Sequence, residues 1–201
     1  IVGQWTQGNF GEDRKDLGTT VKLFYEAFAN KKKQPALIMK TSGASLSVMD
    51  REDCKRKIND IKMLFPSDWD LPNVYLLHGD LSPKEMNYLY NHPKCKALVS
   101  LTHGEGFGRP LLEASMVGLP VIATNWSGQL DFLDGDKSIL IGGDLKEVPQ
   151  SQVWKDIIIP QSQWFNADEL QTGRILNYAF ANHLEIKKKA KDLMEKNRNK
   201  F

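Results

Sequence analysis

Short apolar runs recur along this 201-residue chain, and between them lie segments whose apolar residues return every third or fourth position. That alternation of two periods limits the fold more than any other feature. Apolar runs of four or five residues suit strands buried on both sides, and the intervening segments suit helices that cover them. The pattern predicts strands at 1–5, 36–40, 74–77, 97–101, 121–123 and 138–141. Leu17, Val21, Phe24 and Phe28 mark a first helix, and Cys54, Ile58, Ile61 and Phe65 a second. A third begins at Pro83, where proline suits a first helical turn, and runs to about Tyr90. A fourth opens at Pro110 and stops at Gly118. A short one follows at 129–133. Past Pro149 the pattern changes. A loop carrying Trp154, Pro160 and Trp164 leads to helices at 167–182 and 184–197, and the two tryptophans are expected to pin this extension. The expected fold is α/β: a Rossmann-like, doubly wound parallel sheet with helices on both faces over residues 1–150. A helical C-terminal extension over 151–201 is expected to lie against it. Ligands of such sheets bind outside the carboxyl ends of the strands.

Composition excludes several classes. The chain is 41% hydrophobic and 26% charged, as globular proteins are, and its net charge of +2 is too small to suggest nucleic acid. The lysine-rich runs at 31–33, 53–57 and 187–200 read as solvated helix faces and ends. Cys54 and Cys95 form no C-x-x-C pair, so zinc is not expected and the thiols read as reduced and structural. No apolar run approaches the length of a membrane span. The chain opens on Ile1-Val2-Gly3 as if inside a strand, so it is expected to be an excised domain or fragment.

The stretch from Leu98 to Ala114 carries the chemistry. An apolar strand ends at Leu101, a turn holds glycines at 104, 106 and 108, and a helix follows. Glycines let backbone N–H groups approach a ligand with no side chain in the way, and a helix N-terminus adds free donors and a favourable dipole for an anion. Glu105 in the turn and Glu113 in the helix can accept hydrogen bonds from paired hydroxyls, which a ribose or a hexose presents. The glycines run G-x-G-x-G, which is neither the dinucleotide fingerprint nor a Walker loop. A plain strand-to-helix turn with a solvent-facing glutamate is the structural alternative.

The stretch Gly104–Ala114, then Gly118–Thr124, then Ser127-Gly128 and Asp131-Phe132-Leu133, resembles the C-terminal, donor-binding domain of family-4-like retaining glycosyltransferases of the GT-B type. That family's Glu-x7-Glu pattern falls on Glu105 and Glu113. Gly3-Gln4-Trp5 with Arg14-Lys15 resembles its first strand and basic loop, and Leu37–Thr41 its second strand. The resemblance implies transfer of a hexose from a UDP-, GDP- or ADP-sugar to an acceptor hydroxyl, with retained configuration and no metal or other cofactor. It implies Glu105 and Lys15 as catalytic residues. Arg14, Lys15, Lys40, His103, Gly106, Phe107, Gly108 and Glu113 would contact the donor. Glu105 would meet the hexose, Glu113 the ribose and Lys15 the diphosphate, while the base would lie near His78–Leu81. The acceptor-binding N-terminal domain would lie outside this chain. A cytoplasmic protein is expected, peripheral to a membrane if at all through that missing domain. Many members carry an arginine just after the first strand, where this chain has Gln4-Trp5 and then a long loop, 6–13. Arg14 is the expected replacement.

Two other readings compete: a module of this fold that binds nucleotides without turnover, and a sugar-nucleotide epimerase. The Glu105–Glu113 run favours transfer over both. Asp68-Trp69-Asp70 spells the D-x-D with which other glycosyltransferases hold a metal, but it sits in a Pro-flanked loop before a strand rather than after one.

Overall fold

In the computed structural model, which describes residues 1–5 and 10–201, the apolar runs become parallel strands. β1 (Leu37–Lys40) pairs with β2 (Val74–Leu77), and β4 (Val121–Thr124) lies between β3 (Leu98–Ser100) and β5 (Ile139–Ile141), all in parallel. All four residues of β4 are buried, as a central parallel strand requires. Successive side chains of a strand point to opposite faces, and the core divides accordingly. Val99 and Ile122 join one apolar cluster with α1 (Leu17–Phe28) and α5 (Glu169–Ala181). Leu98, Val121 and Ala123 join the other, with Tyr90 of α3 (Pro83–Asn91), α4 (Arg109–Met116) and α6 (His183–Lys200). Helices thus cover both faces, and the doubly wound expectation holds.

The first expected strand is irregular. Only Val2 forms a bridge, to Lys40, although Gly3 N–H reaches the Lys40 carbonyl at 3.1 Å and Trp5 N–H that of Ser42 at 2.7 Å. This ribbon follows the free edge of β1, and the ladder divides there into two parallel pieces. Trp5 is buried with the Lys57 ammonium over its ring, so it serves the core. Of the long loop at 6–13, residues 6–9 lie outside the described residues.

Helix starts follow their caps. Ser47 accepts the Asp50 N–H to begin α2 (Val48–Lys62), Ser82 and Glu85 form a reciprocal capping box at α3, and Asp168 caps α5. Burial pushes both cysteine thiols up, which keeps them protonated and inert.

An unexpected antiparallel hairpin, β6 (Gly143–Glu147) with β7 (Gln163–Ala167), straddles the expected boundary at residue 150. Trp154 at its tip is exposed, and among the described residues its ladder partner is Ile158, four residues on, so it does not act as the expected anchor there. Trp164 does anchor the hairpin, by stacking on His103. α5 lies against α1, with Lys22 and Glu169 paired at 2.8 Å, and α6 lies against α4. No described helix is long and apolar enough to cross a membrane.

Candidate functional site

At the carboxyl ends of β3 and β4 two turns are bound to each other. The Arg14 carbonyl accepts the His103 N–H at 3.0 Å and lies 3.2 Å from the Thr102 hydroxyl, and the Arg14 guanidinium donates to the Gly104 carbonyl at 2.8 Å. This backbone seam holds the Arg14-Lys15 dipeptide, just ahead of α1, against the glycine-rich turn. Lys15 Nζ then forms an ion pair with Glu105 Oε1, and Arg14 lies 3.7 Å from Oε2. Lys15 and Glu105 are mostly buried while Arg14 is half exposed. Such partly buried, hydrogen-bonded pairs are worth more than surface ones, and Arg14 is open to a ligand.

The turn is locked from a third side. Ser127, at φ 76°, accepts the Glu105 N–H at 3.2 Å and donates to the Glu105 carbonyl at 2.8 Å, and the Gly128 N–H reaches the same carbonyl at 3.0 Å. Gly108, at φ 83°, then starts α4. Among the described residues the backbone N–H groups of Gly106, Phe107, Gly108 and Arg109 have no acceptor, so four donors stand beside Glu105 where the helix dipole is positive. The Phe107 ring leans away onto Phe132, at 5.6 Å between centroids.

Glu113 has a different neighbourhood. It pairs with Arg109 Nε at 2.7 Å and is partly exposed. The buried Tyr90 phenol lies beside it, and burial first, then the Glu113 charge, pushes that phenol's pKa up. Glu105 and Glu113 share no partner among the described residues. Lys40 closes β1 with its backbone engaged by Ile1 and Gly3, and its ammonium has no ion-pair partner among the described residues.

His103 departs from expectation. Its sequence neighbourhood suggests a donor contact, yet the imidazole is 3% exposed. Nδ1 lies 2.8 Å from the Phe165 carbonyl, the ring stacks on Trp164 at 4.9 Å and 15°, and Nε2 faces Asp16 Oδ2 at 4.0 Å. The ring thus packs between the Phe165 carbonyl and Trp164 of β7 and the Asp16 turn. Asp13 and Asp16 are buried beside it. Burial pushes the Asp16 carboxyl up to about 6, with His103 the main opposing influence. Burial raises Asp13 as well, against hydrogen bonding from Leu17 N–H and the His103 charge.

Sequence reasoning placed His78 only near the expected base and did not single out Asp50. Their side chains meet at 2.7 Å, both nearly buried, and Asp50 accepts the Gly43 N–H at 2.8 Å as well. The hydrogen bond from His78 leads in pulling the Asp50 carboxyl down. The pair folds the loop after β1 against the end of β2. The Ser47-x-x-Asp50 cap was the available signal. Asp68-Trp69-Asp70 lies before β2, at the opposite end of the sheet from Glu105, and the Asp70 backbone is tied to Asn30 and Gln34. Among the described residues no three His, Cys, Asp or Glu side chains converge as metal ligands do. A cavity of about 280 Å³ also lies at that amino-terminal end, lined by Phe24, Phe28, Leu98 and Phe180 among others, and it is apolar. Its lining includes Lys94, Lys96 and His183 but no carboxylate, so it holds no counterpart of the Lys15–Glu105 pair, and the Glu105 turn is the candidate site.

Proteins of known structure share this fold. The catalytic domain of a cholesterol-alpha-glucosyltransferase from Helicobacter pylori has the same fold at TM-score 0.63 and 15% identity, covering 100% of this chain and 96% of that one. The C-terminal domain of the glycosyl transferase group 1 family protein LpcC from Francisella tularensis matches at TM-score 0.63 and 15% identity, over 99% of this chain and 84% of that one. Anabaena HepE, solved with UDP-glucose, matches at TM-score 0.63 and 15% identity. All of this chain aligns there, spanning 44% of the Anabaena protein. No curated protein matches in sequence. The model of the family described as glycosyl transferases group 1 matches residues 19–143, well over half of the chain, and the chain belongs to that family.

Proposed function

We propose that this chain is the donor-binding domain of a retaining hexosyltransferase, which takes a hexose from a nucleotide sugar and gives it to an acceptor hydroxyl held by a second domain. The observation that carries this reading is the Lys15–Glu105 pair, flanked by Arg14 and by the free N–H groups of residues 106–109. A cationic pair and a helix N-terminus suit a diphosphate, and a carboxylate in contact with them suits the sugar's hydroxyls. UDP-glucose, the ligand of the Anabaena protein, is the donor to try first. As the bond from the anomeric carbon to the phosphate oxygen breaks, its electron pair goes to the leaving diphosphate. Lys15, Arg14 and the backbone donors meet negative charge that grows only in the transition state. Losing one such donor costs about 2.7–4 kcal/mol of barrier. These groups supply the counter-charge without a metal.

Paired titrations with UDP and UDP-glucose test the roles. Glu113→Gln should weaken both ligands alike, by roughly ten- to a hundredfold if Glu113 meets the ribose through a charged hydrogen bond. Glu105→Gln frees Lys15, so UDP should bind at least as well as before while UDP-glucose loses affinity. Equal loss of both ligands in Glu105→Gln would sink the assignment.

A further inference from the structure

We propose that Asp16 and His103 are positioning residues: a single proton held between the Asp16 carboxylate and the His103 imidazole draws the Arg14-Lys15 turn onto the Glu105 turn. This rests on the donor reading of Lys15 and Glu105 only for its effect on binding.

Asp16 directly follows Lys15, and His103 precedes Glu105 by two residues, so a force between them acts on both halves of the site. Asp13, Asp16 and His103 are 1%, 5% and 3% exposed, and each carries an atom without a hydrogen-bond partner: Oδ1 in both aspartates and Nε2 in the histidine. The tautomer is fixed by geometry. A carbonyl only accepts, so the Nδ1 that faces the Phe165 carbonyl carries a hydrogen. Nε2 is therefore a lone pair in the neutral ring and a donor in the charged one. Its 4.0 Å from Asp16 Oδ2 is too long for a hydrogen bond but within ion-pair range. With no proton between them a lone pair faces a buried carboxylate, which is costly. With one proton, on either partner, the contact becomes attractive. The surroundings keep that proton. The Asp13 carboxylate in the same turn and Glu169 of α5 both favour it at Asp16, a hydrogen bond from Thr19 of α1 opposes it, Lys57 of α2 acts on the neighbouring Asp13, and Glu169 is partly neutralised by Lys22 of α1. Trp164 of β7 closes one face of the imidazole without charge. The upward push on the Asp16 carboxyl agrees with a proton lost within the physiological range.

Asp16→Asn separates this from a passive structural role. Asparagine keeps the shape, tolerates the left-handed backbone at φ 50°, and can turn an amide N–H toward the Nε2 lone pair with no charge that changes with pH. In NMR spectra of the wild-type chain from about pH 5 to 8, the His103 ring and the amides of Arg14, Lys15, Gly104 and Glu105 should move with one midpoint, and in Asp16→Asn that shared movement should vanish. UDP-glucose serves as the binding probe because its diphosphate does not ionise in this range. Its wild-type affinity should fall about five- to tenfold with rising pH, the loss of roughly one hydrogen bond. Asp16→Asn should hold the low-pH affinity throughout. Still amides, or a variant that keeps the wild-type pH profile, overturn the proposal. Coupled amides with no UDP-glucose binding leave the latch standing and overturn the donor reading. Binding without coupled amides overturns the latch alone, and the absence of both overturns both.

Discussion

Gly128 has no room for a β-carbon: one built there would sit 2.1 Å from the Gly106 carbonyl oxygen and 2.9 Å from that of Glu105. Gly128→Ala should therefore push the Glu105 turn aside, cost about 1–3 kcal/mol in urea unfolding, and weaken donor binding with it. Gly106 opens onto empty space, so Gly106→Ala should stay within about 0.5 kcal/mol of wild type. Asp16 gives a prediction with a definite sign. Its folded pKa is raised from 3.8 to about 6, so ionisation opposes folding as pH rises from about 4 to 6, and the whole penalty persists above that. Asp16→Asn should stabilise the chain by about 1–3 kcal/mol at pH 8, with the gain gone below pH 4. Denaturant midpoints at the two pH values check this. At this scale the sequence was partly legible. Glu105 was singled out because glycines and a helix start announce an anion site, whereas Arg14 and Lys15 entered only through the family resemblance. The inward turn of His103 was not, because proximity to Glu105 in sequence says nothing of which side of the strand end a ring takes. Asp13 and Asp16, both buried beside His103, carried no signal in the sequence.

Among elements, α6 does the most to support the site from a distance. The Asn197 amide donates to the Ser115 hydroxyl at 2.7 Å, and Arg198 to the Met116 carbonyl at 2.7 Å, so α6 holds the C-terminal end of the helix whose N-terminus borders the site. Asp134 ties α6 to the turn before β5 through Lys196 at 3.0 Å. Lys196 first, then the Asp136 N–H and Lys137, pull the Asp134 carboxyl down to about 2. A lowered pKa stabilises above the unfolded value and is lost as pH falls from about 4 to 2. Asp134→Asn should cost about 1 kcal/mol at neutral pH once solvent screening is allowed for, and nothing at pH 2; urea melts at both values measure it. The two C-terminal helices were foreseen from periodicity alone. The β6–β7 hairpin was not, because all five β6 residues are exposed and show no apolar alternation.

For the whole molecule, the doubly wound plan was legible because parallel strands buried on both faces leave unbroken apolar runs. What a sequence cannot convey is which turns from distant segments meet, and this site joins residues 14–15, 102–108 and 127–128. Catalysis requires donor and acceptor held together. We expect the isolated chain to bind UDP-glucose in calorimetry with excess EDTA present, yet to move no sugar to an added acceptor. Loss of binding in EDTA, restored by Mn²⁺, would return attention to Asp68 and Asp70. The contact between Asn197 and Ser115 spans 82 positions of chain. On the ribosome, β3, the glycine turn and α4 emerge long before the helix that steadies them. The candidate site is thus assembled early but made rigid late, and a nascent chain stalled before residue 197 should expose a folded yet loosely held α4 to proteases and chaperones.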